Sequence, residues 1–297
     1  MNTIFAGILF ITGMVIILLA TVFDMSTKKE IVNVEMPLSY DHGIPRIIYR
    51  THRSKTVPSC MHEFCHNKWV RLNPKYSVRW YDDRECDTFM NAFGSRESAA
   101  YKNLIPGAYK ADLWRLCVLY QTGGVYVDSY ATPHESLDMI FDGCFDTKSV
   151  HHFISVKDRW NTIHNGFMAA TAGNPLLRQA IDDICDKVEK RDKGKHALDV
   201  TGPMSLAKSI NRTLGRPLDF EHPEGFTINP HSGLYLLSFQ NDIPNRFKWS
   251  SKSGMLESQL IVKNSTVVIA KKYSFVHCLY CRGTYPEMWK KDQVFRY

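Results

Sequence analysis

Apolar positions along this 297-residue chain fall into two kinds of pattern. The first is one unbroken run. Ile4 to Phe23 carries no charge and has only Thr12 and Thr21 as polar breaks. About 20 such residues match the hydrocarbon thickness of a bilayer, so residues 1–23 are predicted to be a transmembrane anchor. A cleavable signal peptide fits less well, because no basic region precedes the run and its length exceeds the usual ~7–15 apolar residues. Residues 24–43 are polar and contain Pro37 and Gly43, which predicts a stem leading to a domain over 44–297.

The second pattern alternates. "IPRIIYR" at 44–50 is a branched apolar run after a glycine and predicts a strand, while Met61, Phe64, Cys65, Trp69 and Leu72 recur at helical spacing. A second strand is expected at "YSVRWY". Asp82 and Asp83 open a short helix, Gly107 precedes a long one, and Gly123-Gly124 ends it and launches the strand "VYV". Downstream, "HHFISV" reads as a strand, and "NPLLRQAIDDICDKVEK" as an amphipathic helix with Pro in its first turn. "GPMSLAKSIN" is a further helix with Thr201 near its cap, and strands return at 226–229, 234–237 and 266–270. Strands alternating with helices predict an α/β domain with a mostly parallel sheet flanked by helices on both faces. Its ligand is expected beyond the carboxyl ends of the strands, and Asp128 lies at such an end.

Charge and cysteines change this picture little. The formal charge of +7 is scattered, and its densest run, 189–196, mixes signs, so nucleic acid is not an expected partner. Cys60, Cys65, Cys278 and Cys281 have the spacing of a four-thiolate zinc site, but the first pair also suits a helix core and disulfides. Two sequons, at Asn211 and Asn264, become usable if the domain faces a secretory lumen. Lys28 and Lys29 follow the apolar run and by the positive-inside tendency oppose that orientation.

The densest candidate chemistry is "YKADLWRLCVLYQTGGVYVDSY". Asp112 and Arg115 stand three apart and so share a helix face. Alone they would read as a surface ion pair. Followed by two glycines, a strand and a strand-end Asp, they are aimed at the crevice that Asp128 enters.

Three stretches carry a resemblance. "IPRIIYRTHRS...VP", "NKWVRLNPKYSVRWYDD" and above all "KADLWRLCVLYQTGGVYVD" resemble family 32 glycosyltransferases, the DXD sugar-binding-region family that includes initiating mannosyltransferases. The likeness covers about residues 44–289 and includes "IHNGFMAATAGNPLL", "VTGPMSL" and a closing "VHC...RGTY". It implies a GT-A-type, Rossmann-like domain that moves a hexosyl unit from a GDP- or UDP-linked sugar to a glycan, glycolipid or glycoprotein hydroxyl, with retention. It further implies a single-pass protein of the Golgi or another secretory membrane, with a lumenal catalytic domain.

Carried across by resemblance, Asp112 and Arg115 grip the donor sugar and Asp128 is the first Asp of D-x-D. Tyr130 stands where the second Asp belongs. A phenol of pKa ~10 is a poor ligand for a hard cation, which puts the family's Mn or Mg in question here. The substitutes are Asp128 with the donor's own diphosphate, His277 as a further ligand, or a cation such as Arg282. Gly283, Thr284 and Tyr285 match the segment that closes over the donor. Asn165 and Gly166 match an acceptor-side segment, and by their residues alone could equally be a turn before a strand. Thr201 secondarily lines the site. Tyr49 and His52 depart from the family's first-strand residues and leave the choice of nucleobase open. A chain that has lost the second carboxylate could instead be a membrane-anchored sugar-nucleotide-binding or scaffold protein.

Overall fold

A computed structural model describes residues 27–158, 162–227, 232–240, 248–250, 255–264, 266–274 and 285–296. The expected anchor, His277, Cys278, Cys281, Arg282, Gly283 and Thr284 lie outside these residues. Among the described residues no helix is long and apolar enough to cross a membrane.

The strands of the main sheet follow the order β6 (Ser77–Tyr81), β4 (Ile47–Thr51), β7 (Gly124–Val127), β10 (Thr162–Ala170), β9 (His152–Asp158), β12 (Gly233–Gln240), β14 (Met255–Lys263), β15 (Thr266–Ser274) and β8 (Ala131–Pro133). Two short strands, β11 (Gly225–Thr227) and β13 (Lys248–Ser250), pair with β12 and β14. Among the described residues only β4–β6, β4–β7 and β9–β12 are parallel, which corrects the expectation of a mostly parallel sheet. The antiparallel pairs arise where strands follow one another through short connections, as at β14–β15, which parallel strands cannot use. β14 was not anticipated from the sequence, and β10 begins before Asn165 and Gly166 rather than after them.

The order also forces curvature. β8 begins four residues after β7 ends, a reach of at most ~14 Å. Along the sheet the two are six inter-strand steps apart, roughly 29 Å if flat, so the sheet curls back towards its own middle.

Helices cover both faces unequally. A π-helical stretch, Met61–Asn67, runs into α1 (Lys68–Leu72); α2 (Asp83–Phe93), α3 (Ser95–Asn103) and α4 (Gly107–Thr122) follow. Next come α5 (Leu137–Phe141), α6 (Pro175–Glu189), α7 (Pro203–Thr213) and α8 (Tyr285–Lys290). Asp82, expected to open α2, caps it through a reciprocal bond with Glu85, and Asn174 caps α6 ahead of the expected first-turn Pro175. Leu113, Trp114 and Cys117 of α4 pack with Tyr126, Met168, Ile181 and Leu206 on one face. On the other, Trp69, Leu137 and Phe141 meet Val125, Val127 and Phe167. Strand β7 is thus buried on both sides, which is why it reads as a continuous apolar run.

Two glycines tie α4 to this strand. Gly123 has φ +69°, and a Cβ there would stand 2.8 Å from the backbone nitrogen of Ala172. Gly124 has φ +111° and would press a Cβ to 2.9 Å from the carbonyl of Ile47. Only glycine tolerates both the backbone and the contact.

The segment expected to be a stem is docked on the domain. β1 (Lys28–Glu30) pairs with β5 (Thr56–Pro58), Ile31 is buried, Val34 bridges to Val78, and β2 (Tyr40–Asp41) pairs with β3 (Ile44–Pro45). Its polar composition hid single apolar anchors such as Ile31 that suffice to fix it.

Candidate active site

The carboxyl end of β7 runs into a tight turn. The amide of Ala131 donates to the carbonyl of Asp128 at 2.9 Å, and the amide of Asp128 donates to the carbonyl of Gly166 at 2.9 Å. Arg50, fully buried on β4, holds the turn from beneath. Its guanidinium donates to the carbonyls of Asp128, Ser129 and Ala131 at 3.0, 2.8 and 3.1 Å, and to that of Cys65. Burial pulls its pKa down to about 10, with Cys65, Tyr126 and Asp128 opposing, so Arg50 stays charged at neutral pH.

Tyr126, two residues before Asp128 and on the same face of β7, donates its hydroxyl to Oδ1 of Asp128 at 3.0 Å. Arg115 reaches the same oxygen at 3.2 Å and donates to the carbonyl of Asn165 at 2.8 Å, with its guanidinium 4.3 Å from the centre of the Tyr126 ring. The other end of that guanidinium lies 3.3 Å from Oδ1 of Asp112. Asp112 also accepts from the Asn165 amide at 2.9 Å and the Thr201 hydroxyl at 2.8 Å. Asp112, Arg115 and Asp128 therefore meet, as the sequence implied, and Asn165 joins them. The pair is not a surface one: Asp112 is 8% and Arg115 6% exposed.

Burial governs the titration of this group. It pushes Asp112 up to about 6 against the pull of Arg115, Thr201 and Asn165. For Arg115 burial acts downwards, but Tyr126, Asp112 and Asp128 together outweigh it and raise the value, keeping the guanidinium charged.

Asn165 and Gly166 are not a turn before a strand. They lie within β10, where the pairing with β9 shifts register between His164 and Ala169. Such an irregularity re-aims side chains. Gly166 is then a spacer: a Cβ on it would stand 2.6 Å from Oδ2 of Asp128 and 2.8 Å from Nε2 of His164. Thr201 is not a cap either, since α7 begins from Gly202 without a side-chain cap and Thr201 instead binds Asp112.

After the turn Tyr130 lies with its ring edge-on to His52 at 6.2 Å and packs against the cluster that holds Ile31, Met61, Cys65 and Trp80. Its carbonyl accepts the thiol of Cys65 at 3.7 Å. Tyr285, the one described member of the closing segment, packs 5.5 Å from Tyr109, three residues before Asp112 on α4. Arg50, Tyr126 and His164 escaped the sequence reading. The available signals were an arginine in an otherwise apolar strand and the two-residue strand period linking Tyr126 with Asp128 and His164 with Gly166.

A family model described as a glycosyltransferase sugar-binding region containing a DXD motif matches residues 60–146, the stretch that holds Asp112, Arg115 and Asp128. Residues 60–146 are therefore similar to that sugar-binding region. The chain is 24% identical over 204 residues to the initiation-specific alpha-1,6-mannosyltransferase of Schizosaccharomyces pombe, covering 60% of this chain and 50% of that protein. To the Candida albicans protein of the same name it is 26% identical over 112 residues, 35% of this chain and 29% of that one. It thus spans half or less of these relatives. Among solved structures, the PaToxG Glycosyltransferase aligns at TM-score 0.46 and 16% identity, over 69% of this chain and 78% of that one. The UDP-bound glycosyltransferase domain of the YGT toxin aligns at 0.26 and 13%, over 50% and 42%.

A divalent cation, the expectation that goes with the D-x-D resemblance, would meet Asp128 from one side only. Oδ1 of Asp128 is engaged by Arg115 and Tyr126, whereas Oδ2 faces the gap left by Gly166. Among the described residues no three His, Cys, Asp or Glu side chains converge as a complete metal cage. Oxygens of a bound diphosphate would have to complete the shell, as Mg and Mn sites commonly allow.

Proposed function

We propose that this chain transfers a hexosyl unit from a GDP- or UDP-linked sugar to a hydroxyl of a glycan, glycolipid or glycoprotein, with retention of configuration. The names of the relatives make mannose the first sugar to test. One observation carries the reading: Asp112, Arg115 and Asn165 are buried behind the carboxyl end of a central strand, while Asp128, at 22% side-chain exposure, brings that network to the surface. A merely structural ion pair does not require a strand-end carboxylate, a glycine beside it and a fully buried arginine under its turn.

Within that reading each residue has a role. Ionised Asp112 and Asp128 accept hydrogen bonds from donor hydroxyls. Arg115 balances their charge and fixes their separation, and Arg50 locks the turn so that Asp128 is already aimed when the donor arrives. A divalent cation, when bound beside Asp128, would supply charge neutralisation for the departing diphosphate. The apolar run Ile4–Phe23 supports a single-pass anchor in a Golgi or other secretory membrane, with the domain in the lumen.

The test is binding and turnover of the full chain with GDP-mannose, UDP-glucose and UDP-galactose, followed by anomeric analysis of the product. Binding of a nucleotide sugar without transfer to any hydroxyl acceptor would instead favour a sugar-nucleotide-binding or scaffold protein. That second reading draws on Tyr130, a phenol where the second carboxylate of the pattern belongs, and on Asp112, whose two oxygens are both engaged.

A further inference from the structure

The segment expected to act as a spacer between membrane and domain leaves little slack. β1 begins five residues after Phe23, the end of the apolar run, so at most ~18 Å of chain separates that run from a strand paired with β5. A free stem over 24–43 would reach about 70 Å. The docked strand thereby fixes which end of the domain the run joins. β4, β6 and β7 run parallel, with Thr51 opposite Tyr81 and Tyr49 opposite Tyr126, so their carboxyl ends point one way. The β1–β5 pair lies at that end. Ile31 donates its amide to the carbonyl of Lys55 at 2.9 Å, the Trp80 indole donates to the carbonyl of Ser54 at 3.2 Å, and the His52 amide donates to the carbonyl of Tyr81 at 3.1 Å. Asp128 follows β7 at the same end, and Tyr130 packs against the cluster that holds Ile31 and Val57.

The surface of this corner suits lipid head groups. Lys28, Lys29 and Glu30 are exposed along β1, Arg53 is exposed between β4 and β5, and Val32, just past β1, is 72% exposed. Lys55 adds no net charge, being paired with Glu85 at 2.6 Å. Three cations against one anion, beside an exposed apolar side chain, match the phosphate layer of a bilayer, which extends only ~5–8 Å beyond the hydrocarbon. We propose that the β1–β5 corner seats directly on the bilayer, with phospholipid head groups as its partner, so that the carboxyl-end face bearing Asp128 works at the membrane surface. This rests on the membrane-anchor reading above. The opposite end stands away from the lipid. There Phe153 of β9 pairs with Ala170, which pairs with Gly124 at the start of β7, and Val150, 86% exposed, precedes β9. β10, nine residues and so ~30 Å long, spans the distance between the two ends.

The experiment uses the full chain reconstituted in vesicles of phosphatidylcholine and phosphatidylserine that contain a lipid with a nitroxide on its head group. Val32→Cys and Val150→Cys each carry a bimane label, and the signal of wild type labelled in parallel is subtracted. Both positions are exposed, so the substitutions leave the core untouched. The label at 32 is expected to lose most of its fluorescence to the nitroxide, and the label at 150 to keep it. A flexible Gly-Ser insertion of about twenty residues before Thr27 adds roughly 25 Å of reach. Combined with Lys28→Glu, Lys29→Glu and Arg53→Glu, it releases both tether and surface and is expected to restore the fluorescence at 32. In a chain that floats with the vesicles, quenching that is absent at 32, equal at the two positions, or retained in the released variant overturns the seat and leaves the anchor reading intact. A chain that does not float with the vesicles overturns both.

Discussion

Arg115 and Asp128 are thirteen residues apart in the chain and 3.2 Å apart in space, the guanidinium of a helix meeting the carboxylate that ends the next strand. The Arg115 side of the contact is buried, so its removal is expected to affect folding as well as chemistry. Arg115→Ala should lower stability by about 3–5 kcal/mol, because it leaves two carboxylates without their counter-charge. Asp128→Asn, similar in volume, should keep the fold within a few degrees in Tm but lose most donor affinity. Denaturant melts alongside nucleotide-sugar titrations separate the two, and an Asp128→Asn protein with normal donor binding would remove this residue from the site.

Asp112 makes activity depend on pH. Its pKa near 6 predicts that kcat/KM rises through about pH 6 as the carboxylate ionises, and that Asp112→Asn abolishes this limb along with most activity. Stability should run the other way. The folded value lies above the ordinary 3.8, so the native state binds this proton more tightly between about pH 4 and 6, and that contribution is lost as the pH rises through the window. Thermal melts and rate profiles over pH 4–8 check both signs.

Gly166 is the narrowest spacer in the site. Gly166→Ala should displace the Asp128 carboxylate and reduce donor binding tenfold or more, at a stability cost of about 1–3 kcal/mol from the forced contact. Isothermal titration with GDP and UDP reads the first effect. Retained affinity would mean that the carboxylate moves aside freely.

Tyr130→Asp is not expected to rebuild a metal site. Its side chain packs against the hydrophobic cluster that holds Met61, Cys65 and Trp80, so a carboxylate there should destabilise the chain and leave Mn affinity unchanged. A clear gain in Mn binding would show instead that the turn can rotate Tyr130 towards Asp128.

The two sequons are not equivalent. Asn264 is exposed at the β14–β15 turn, with φ +48°, whereas Asn211 is buried and donates to the carbonyls of Leu218 and Phe220 at 3.2 and 2.9 Å. Expression in eukaryotic cells with a lumenal domain should therefore yield one glycan, removed by Asn264→Gln. Failure of that variant to change gel mobility would oppose a lumenal domain or show that the sequon is skipped.

How much of this was legible beforehand follows from the range of each interaction. Helix α4, its glycine stop and strand β7 are local: periodicity, a left-handed glycine and a branched run specify them within about twenty residues, and they carry Asp112, Arg115 and Asp128 into place. The long helices α6 and α7 were readable for the same reason. Strand partners were not. An apolar run states that it is buried but not beside which neighbour, so the antiparallel half of the sheet and its curl were decided by connection lengths and packing. Arg50 under the turn, Thr201 on Asp112 and His164 across Gly166 come together from as many as 89 residues away, as for Thr201 and Asp112, through contacts that leave no periodic trace. The fate of Tyr130 belongs with these. Two residues apart in a strand would have faced one way, but the hydrogen-bonded turn after Asp128 breaks that alternation and sends the phenol into another cluster. The sequence by itself determined which residues could carry chemistry, and the tertiary structure decided which of them meet.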